Sequence, residues 1–443
     1  MMIPLHSEFT ESGKARAALL ARDFAKAQEH LLRSLEFMTH DDLVEPLGPP
    51  PSNPKGKVGK YLYIPVEMAG RELASRAWIA GQCAKLGFNV VIGATWNLSA
   101  YGWRDFPPGI ILFKTLYALD AKQFFLAKSH GHRVAVLDEE MMPLALTKRI
   151  YEFSIEPYAL YLADLVCAPG EASAQILREM APGKIAVTGN PRAMVRPVKA
   201  IRGHILVCTS APTINPKMGF EPSMAMTLRV AGKPLRGSVF DIWQAQIKHE
   251  IKWTQVLLEA IEALKKKYGA RVRVRPHPAE DPSTFEFEAD HVPLSTRLSQ
   301  ADCVVFVSSC GIGIEAGMAG VPAVRIGTGG DGLSAAFGTG CESVAAALVR
   351  VEACLTGPET IPDLTNIIAE KITVPEELEK LWRENQDPDI STDILAGFHK
   401  RPRHYEPQEF QRNKFPETTA EQISELSGVP AVKIGWNLFA LNV

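Results

Sequence analysis

Two short motifs in the second half of the sequence have the residue types of an anion-binding site. In the first, Arg275 and His277 end an alternating apolar run that predicts a strand. In the second, Ser308, Ser309 and Gly311 lie between a buried apolar run and a helical segment of small residues. Ligands bind at the carboxyl ends of strands in open parallel sheets, where a guanidinium, an imidazole N–H and a helix start all suit a phosphate. Together the motifs predict a nucleotide-phosphate site.

Glu315 follows the serines by about one helical turn, in a segment that is otherwise small and apolar. A carboxylate there can reach ribose hydroxyls, whereas the alternative is a solvated glutamate. His277 also has a simpler interpretation, because the prolines on both sides fix a rigid turn in which a histidine can be incidental. The serines can act as helix N-caps without any ligand. We favour ligand binding for His277 and Glu315.

Three adjacent acids, Asp138, Glu139 and Glu140, close a predicted strand in the first half of the chain. Mutual repulsion among neighbouring carboxylates favours the protonated form of one of them. Such a group suits a general base that acts on an acceptor hydroxyl. A solvated acidic turn is an equal alternative on the residues alone.

Four further charged residues of the first half are candidates for acceptor binding. They are Arg71, Glu72, Lys114 and Arg192, which follow predicted strands or lie in the hinge between the halves. Solvated surface charges are the alternative for each of them. The turn at Gly70 lacks the GxGxxG pattern, so dinucleotide binding is disfavoured.

Bulk composition excludes several classes of protein. The chain has 443 residues, 46% of them hydrophobic, and a net charge of -2, whereas nucleic-acid binders usually carry a basic excess. Its seven scattered cysteines form no CxxC pair, so we expect a reducing compartment and neither a disulfide framework nor a metal site. No apolar run reaches the length of a membrane span, and no apolar leader begins the chain. We therefore expect a cytoplasmic protein.

Strand and helix patterns alternate from residue 60 to residue 188 and again from residue 204, which is typical of parallel sheets covered by helices. The fold class predicted is α/β, with two Rossmann-like parallel-sheet domains facing a cleft and a helical N-terminal extension. The predicted boundaries are an extension with a Pro-rich linker at 1–55, an acceptor or catalytic domain at 56–195, a nucleotide-sugar domain at 203–360, and a helical tail at 361–443 that packs back on the first domain. One helix is predicted over 15–37, and it can dock on the body, mediate oligomerisation or touch a membrane surface.

The assembled motifs resemble the donor half of GT-B glycosyltransferases that act on bacterial surface polysaccharides. The resemblance rests on Arg-Pro-His-Pro and on the segment Ser-Ser-x-Gly-x-x-x-Glu-Ala that comes after it. The first half resembles bacterial surface carbohydrate (capsule or O-antigen) biosynthesis proteins at Gly70–Leu73, Pro108–Ile110, Gly131–Val134 and Leu137–Glu140. The resemblance spans roughly residues 60–330.

Within this group, the motifs are similar to those of CMP-sialic acid and CMP-Kdo transferases. That resemblance implies that His277, Ser308 and Ser309 hold the CMP phosphate, that Glu315 holds the ribose, and that Glu139 or Glu140 is the acidic residue that serves catalysis. It also implies a metal-independent reaction with no cofactor beyond the nucleotide-sugar donor, and a glycan or lipid-linked glycan acceptor. Met141 stands where related sialyltransferases have glycine, and no aspartate nucleophile matches a motif in the second half.

Alternatives to the glycosyltransferase stay open on the sequence. A CDP-polyol phosphotransferase of the teichoic-acid type resembles the same donor motifs. A catalytically inactive nucleotide-binding or scaffold protein agrees with the missing nucleophile, and a UDP-sugar epimerase-like protein is a more distant option. For all of these functions we expect the protein to lie in the cytoplasm or at the inner face of the membrane. We expect no nucleic acid among its partners.

Overall fold

The computed structural model describes most of the chain, in several separate ranges. They are 10–38, 57–101, 103–138, 155–194, 203–232, 235–288, 290, 292, 294–307, 310–327, 340–357, 364–387, 390 and 406–442. The chain divides into two compact units. Unit 1 comprises Met1–Glu45 with Arg196–Leu364, and unit 2 comprises Pro46–Val195 with Thr365–Val443.

Strands and helices alternate along most of the described sequence. The strands are β1 (Tyr61–Val66), β2 (Asn89–Ala94), β3 (Ile110–Phe113), β4 (Arg133–Leu137), β5 (Leu165–Ala168), β6 (Ile185–Val187), β7 (His204–Cys208), β8 (Val272–Arg275), β9 (Ala301–Val307), β10 (Ala323–Ile326), β11 (Ala431–Gly435) and β12 (Leu438–Leu441). The helices are α1 (Glu11–Leu20), α2 (Phe24–Phe37), α3 (Ala74–Lys85), α4 (Thr95–Tyr101), α5 (Ala118–Ser129), α6 (Pro157–Leu162), α7 (Glu171–Met180), α8 (Phe220–Ala231), α9 (Ser238–Tyr268), α10 (Leu294–Ser299), α11 (Ile312–Met318), α12 (Val344–Thr356), α13 (Val374–Asn385), α14 (Glu409–Lys414) and α15 (Ala420–Ser427).

Unit 2 is built on an eight-stranded sheet in the order β11-β12-β2-β1-β3-β4-β5-β6. Strands β1 to β6 are parallel, and every residue of the central strand β1 is buried. Helices cover both faces, so the central strands read as continuous apolar runs rather than alternating ones. The switch in strand order lies between β1 and β3, which places the loops after these two strands at the usual ligand position of such a sheet.

The C-terminal tail completes this sheet with a hairpin. Strand β12 pairs antiparallel with β2, and β11 pairs antiparallel with β12. Helix α15 lies so close to α3 that a Cβ on Gly81 would stand 1.8 Å from the carbonyl oxygen of Ser427. The expectation of a helical tail is therefore wrong for the last residues. They form strands because a short apolar run after the turn at Asn437, where φ is 42°, pairs with the open edge of β2.

Unit 1 is built on a four-stranded parallel sheet in the order β10-β9-β7-β8. Its core includes Leu206, Val304 and Phe306, which pack against α11. The small residues of α11 allow that approach, because a Cβ on Gly313 would stand 2.5 Å from the Phe306 ring. The switch in strand order lies between β7 and β9, so the loops after these strands and after β8 form the ligand-binding edge expected for this sheet.

The N-terminal residues belong to unit 1 as a helical hairpin of α1 and α2. The single helix predicted over 15–37 is wrong, because Arg22 has φ 56° and Asp23 caps a new helix. The hairpin packs against α9, α8 and the 3-10 turn Pro282–Phe285. Its buried seam of alanine, leucine and phenylalanine residues includes Leu19 and Leu31, each 1% exposed. Of the options open on the sequence, the structure shows docking on the body.

The predicted α/β fold class with two Rossmann-like parallel-sheet units and a helical N-terminal region is confirmed. Within the described ranges, the chain contains no helix that combines the length and the apolar character of a membrane span.

Candidate functional site

The carboxyl ends of β7, β8 and β9 in unit 1 bring the described residues of the predicted phosphate-binding motifs to one edge of the sheet. Thr209 and Ser210 follow β7, and His277 follows β8 after one proline. Cys310 and Gly311 lie between β9 and α11. Ser308 and Ser309, which were predicted to bind the phosphate, lie outside the described residues.

The loops after β7 and β8 are joined by three residues, Thr209, His277 and Glu280, which are called here the Thr209 cluster. The backbone N–H of His277 donates to Thr209 Oγ1 at 3.1 Å. Thr209 Oγ1 in turn donates to Glu280 Oε2, and Glu280 Oε1 accepts from the backbone N–H of Ala211. Thr209 and Glu280 are buried, whereas His277 is half-buried. The cluster therefore holds a partly accessible imidazole on a framework of buried hydrogen bonds.

The imidazole of His277 has one tautomer favoured by its own turn. Its Nδ1 accepts from the backbone N–H of Ala279 at 3.2 Å. A neutral ring that accepts at Nδ1 carries its proton on Nε2. The turn thus makes Nε2 a hydrogen-bond donor, which is the function required for binding a phosphate oxygen.

Glu280 is a buried acid with an unusual affinity for its proton. Its exposed fraction is 1%, and burial raises its pKa to about 7 against the lowering effect of the hydrogen bonds from Ala211 and Thr209. The negative charge of Glu250 also raises it. A carboxyl group with a pKa near neutrality therefore lies in the turn that carries His277.

Glu250 of α9 holds the next part of the loop after β7. Its carboxylate accepts from the backbone N–H groups of Thr213 at 3.0 Å and Ile214 at 3.2 Å, and from the Thr213 hydroxyl at 2.6 Å. Burial raises the pKa of Glu250 as well, partly offset by those hydrogen bonds and one from Gln246. Two buried carboxylates thus fix the loop from residue 209 to residue 216.

The start of α11 adds polar groups to the same edge. Cys310 hydrogen-bonds with Ser210, and burial raises the pKa of the Cys310 thiol to about 11, so it is protonated at neutral pH. The charges of Glu315 and Glu280 raise the pKa of the thiol further. Glu315 is half-buried in the first turn of α11. The predicted ribose-binding carboxylate and the predicted phosphate-binding imidazole therefore lie at one edge.

The side chain of Arg275 makes structural contacts with other described residues of unit 1. Its Nη1 donates to Asp290 Oδ2 at 2.9 Å and to the carbonyl oxygen of Val292 at 2.7 Å. Arg297 binds the same aspartate at 2.9 Å. Burial acts to raise the pKa of Asp290, but the hydrogen bonds and charges of the two arginines lower it overall. A nucleotide contact by Arg275 stays a prediction.

Sequence reasoning missed the supports of this edge, namely Thr209, Glu250 and Glu280. Glu280 has one local signal, its position three residues after His277, although Asp281, Ser283 and Thr284 give the same segment an ordinary polar sequence. Glu250 has none, since it looks like one of the many charged residues of a long amphipathic helix.

In unit 2, Glu72 and Lys114 form an ion pair at the switch point of the sheet. Lys114 Nζ lies 2.8 Å from Glu72 Oε1 and 3.3 Å from Glu67 Oε2, and Lys414 from the tail also binds Glu67. Glu72 is 1% exposed and accepts from the backbone N–H of Glu67 at 2.9 Å. Because Glu72 is buried and paired with Lys114, it stabilises the loop after β1 and is not exposed for contact with an acceptor.

Asp120 lies next to this pair and was not singled out from the sequence. Burial raises its pKa to about 6, although a hydrogen bond from Thr115 and the charge of Lys114 act to lower it. The charge of Glu67 raises it further. This edge of unit 2 therefore combines two lysines with three carboxyl groups.

The other predicted residues of the first half lie at separate places in unit 2. Arg71 is half-buried in a single π-helical turn, Ala69–Leu73, a form often found at functional sites. The backbone N–H of Arg192 donates to Asn190 Oδ1 at 3.0 Å in a 3-10 turn. Asp138 is fully buried at the end of β4. Glu139 and Glu140 lie outside the described residues.

Comparison with known proteins gives similarity at the level of solved structures alone. No known family profile matches the sequence, and neither does any curated protein. A structure from Listeria monocytogenes, assigned as a UDP-N-acetylglucosamine 2-epimerase, is 13% identical, has a TM-score of 0.46, and aligns over 76% of this chain and 100% of its own. The UDP-GlcNAc 2-epimerase from Neisseria meningitidis bound to UDP-GlcNAc is 12% identical, with a TM-score of 0.45 over 73% of this chain and 99% of its own.

A wall teichoic acid polymerase is also similar, at 11% identity and a TM-score of 0.38, over 84% of this chain and 98% of its own. At such identities and scores these likenesses carry no argument about substrate, reaction or residue roles.

Proposed function

We propose that the chain is a glycosyltransferase of surface polysaccharide synthesis that uses a nucleotide-activated sugar. Unit 1 binds the nucleotide, and the donor is CMP-Kdo or a related CMP-linked acid. The observation that carries the proposal is the Thr209 cluster, which holds the Nε2–H of His277 at the carboxyl edge of a parallel sheet, next to the end of β7 at its switch point. The preference for CMP rests on the resemblance of the His-Pro and Ser-Ser motifs in the sequence.

In the proposed reaction, His277 stabilises the leaving phosphate. Its Nε2–H donates to a phosphate oxygen whose negative charge grows as the bond between the sugar's anomeric carbon and the phosphate breaks and CMP leaves. The turn fixes this hydrogen-bond donor in advance, so it needs no reorganisation when the bond breaks. The hydrogen bond from Ala279 to the ring and the one from the His277 backbone to Thr209 hold the imidazole in that position. Glu315 accepts from the ribose hydroxyls at the same edge, and the backbone around Gly311 completes the phosphate contact.

The proposed acceptor chemistry lies in the first half of the chain. Glu139 or Glu140 takes the proton from the acceptor hydroxyl as a general base. Arg71 and Lys114 contribute charge near the end of β1 and β3, where Lys114 is already bound to Glu72. Asp138 is buried and serves as a support for the following acids rather than as a contact of the acceptor.

Calorimetric titration of the full chain with CMP, CDP, UMP and UDP tests the nucleotide site. We expect CMP to bind best and His277→Ala to weaken it at least about tenfold, since a hydrogen bond to a charged group contributes roughly 1.5–3 kcal/mol. His130→Ala, which removes an imidazole from a helix end of unit 2, is the matched control and leaves binding unchanged. Preference for UDP or CDP contradicts the CMP donor, and no binding of any nucleotide contradicts the whole proposal.

Product analysis with CMP-Kdo, CDP-glycerol and UDP-GlcNAc then separates the reactions. Transfer of sugar from CMP-Kdo that is lost in Glu139→Gln or Glu140→Gln supports the glycosyltransferase. Transfer of phosphoglycerol identifies the CDP-polyol phosphotransferase, and conversion of UDP-GlcNAc without an acceptor identifies an epimerase. Nucleotide binding without turnover of any donor identifies a binding protein.

A further inference from the structure

The N-terminal hairpin of unit 1 contacts the turn that carries the proposed nucleotide-binding histidine. Arg16 of α1 places its Nη2 2.5 Å from Asp281 Oδ2 and 3.4 Å from Ser283 Oγ. Both members of the ion pair are partly buried, at 35% and 19% exposure of their side chains. Asp281 follows Glu280 directly, so the ion pair acts on the segment that ends the Thr209 cluster.

Asp281 is a junction between three segments of unit 1. Its Oδ1 accepts from the backbone N–H of Ser283 at 3.0 Å and from the Ser283 hydroxyl at 2.6 Å, which caps the 3-10 turn Pro282–Phe285. Its backbone N–H donates to the carbonyl oxygen of Asn215 at 3.0 Å, and its own carbonyl oxygen accepts from Asn215 Nδ2 at 2.8 Å. The aspartate thereby links α1, the turn after His277 and the loop after β7.

The two loops behave as one connected piece of backbone. The N–H of Lys217 donates to the carbonyl oxygen of Ala279 at 2.9 Å, and Pro216 and Glu280 form an isolated antiparallel bridge. The N–H of Glu280 donates to the carbonyl oxygen of His277 at 2.9 Å. Two short chains of contacts therefore connect Asp281 with His277, one along the turn and one through the loop after β7.

We propose that the N-terminal hairpin is a positioning element for the nucleotide site, and that Arg16 is the residue through which it acts. The inference rests on the proposed nucleotide binding by unit 1. When Arg16 holds Asp281, the turn keeps the Nε2–H of His277 in its binding orientation. When the hairpin is displaced, the turn loses that support and the nucleotide binds less tightly. By linkage, bound nucleotide also stabilises the docked hairpin.

The test compares two arginines of the same hairpin. Arg16→Ala removes the contact to Asp281, whereas Arg22→Ala removes an exposed ion pair with Glu262 of α9 that does not involve the turn. In calorimetry with CMP, we expect Arg16→Ala to weaken binding about threefold to fivefold, the upper part of the range for loss of one partly exposed ion pair, and Arg22→Ala to change it less than about twofold. Arg16→Lys keeps the charge and recovers part of the affinity.

Hydrogen exchange of the protein without ligand distinguishes positioning from general destabilisation. The proposal is supported if exchange in Arg16→Ala is faster only at the amides of Ala211, Lys217 and Asp281. The thermal midpoint of Arg16→Ala should then equal that of Arg22→Ala. Equal CMP affinity of the two variants overturns it, as does uniformly faster exchange across unit 1. If the wild-type protein binds no nucleotide, the proposed function fails, and unchanged exchange at these amides in Arg16→Ala then also refutes the positioning role.

Discussion

The backbone N–H of His277 donates to Thr209 Oγ1 at 3.1 Å, which joins the end of β8 to the end of β7. The same hydroxyl donates to the buried carboxylate of Glu280. One side-chain oxygen thus satisfies a backbone donor and a buried acceptor at once. A buried hydrogen-bond donor or acceptor that loses its partner costs free energy. The hydroxyl of Thr209 should therefore contribute far more to stability than the size of its side chain.

Thr209→Val removes this hydroxyl and keeps the shape of the side chain. We expect the free energy of unfolding to fall by roughly 1–3 kcal/mol, because a buried donor and acceptor lose their partner, and nucleotide affinity to fall with it. Urea denaturation and titration with CMP measure the two effects.

Thr284→Val is the control for this change. Thr284 is 3% exposed, and its hydroxyl has no hydrogen-bond partner in the part of unit 1 that the structure describes. Its replacement should be neutral or stabilising. Equal stability losses in the two variants would contradict the importance assigned to the Thr209 hydroxyl.

Glu280→Gln should change how stability depends on pH. The pKa of Glu280 rises from its ordinary value of 4.5 to about 7, so between these values the folded state keeps a proton that the unfolded state has lost. The free energy of unfolding therefore falls as pH rises through this window, by up to about 3 kcal/mol at about 1.4 kcal/mol per pKa unit. Glutamine does not titrate, so the variant gains stability relative to the wild type from pH 4.5 to pH 7.

Denaturation of both proteins across that pH range measures the difference between the curves. Glu262→Gln, at an exposed glutamate of α9, should follow the wild-type curve. Glu250, whose pKa burial also raises, keeps part of the slope in the single variant, and the double variant Glu250→Gln, Glu280→Gln should lose more of it. Parallel curves for the wild type and Glu280→Gln would show that this carboxyl group titrates as it does in the unfolded chain.

Gly313→Ala should loosen the contact between α11 and β9. The new Cβ would stand 2.5 Å from the Phe306 ring, which is fully buried and has no room to move. We expect a loss of roughly 1–3 kcal/mol in the free energy of unfolding, as for other overpacked cores. Gly203→Ala, just before β7, meets no atom within 4 Å and should be neutral in the same thermal unfolding experiment. A neutral Gly313→Ala would mean that α11 shifts freely.

Leu438→Ala tests the packing of the C-terminal hairpin in unit 2. Leu438 is fully buried in β12, and its truncation should cost roughly 2–5 kcal/mol, as in other buried leucine sites. Val432→Ala in β11 is the control, because Val432 is 49% exposed and its change should lie within about 0.5 kcal/mol. Similar midpoints of the two variants in guanidinium denaturation would argue against a tightly packed hairpin.

The parallel strands were accessible from the sequence because burial on both faces makes them continuous apolar runs. The runs Leu165–Ala168 and Ala323–Ile326 are two such strands, and both lie in the stretches where alternation of strands and helices was predicted. The terminal hairpin was not accessible, because its partner β2 lies far away along the chain and a short apolar run does not identify the edge that it will join. The break at Arg22 depends on one residue with positive φ, which no periodicity indicates.

The candidate site was accessible only in its ligand-facing part. A histidine between two prolines is conspicuous in any sequence. The function of Glu250, which is to bind the backbone of the loop after β7, is evident only when that loop has folded over it. Burial creates the unusual protonation of Glu280, and burial of a single acid in a turn cannot be read from neighbouring residues. The supports of a site are long-range contacts, and they become visible with the fold.

The closing of unit 2 by its last strand has a consequence for the order of synthesis. While the chain emerges from the ribosome, β2 presents an apolar edge that its antiparallel neighbour β12 cannot cover before residues 438–441 have been synthesised. At about 5–20 residues per second, that edge stays open for roughly tens of seconds in every nascent molecule. Unpaired apolar edges recruit strands from other chains. We therefore expect growing chains to bind chaperones that recognise extended apolar segments, until residues 438–441 have been added.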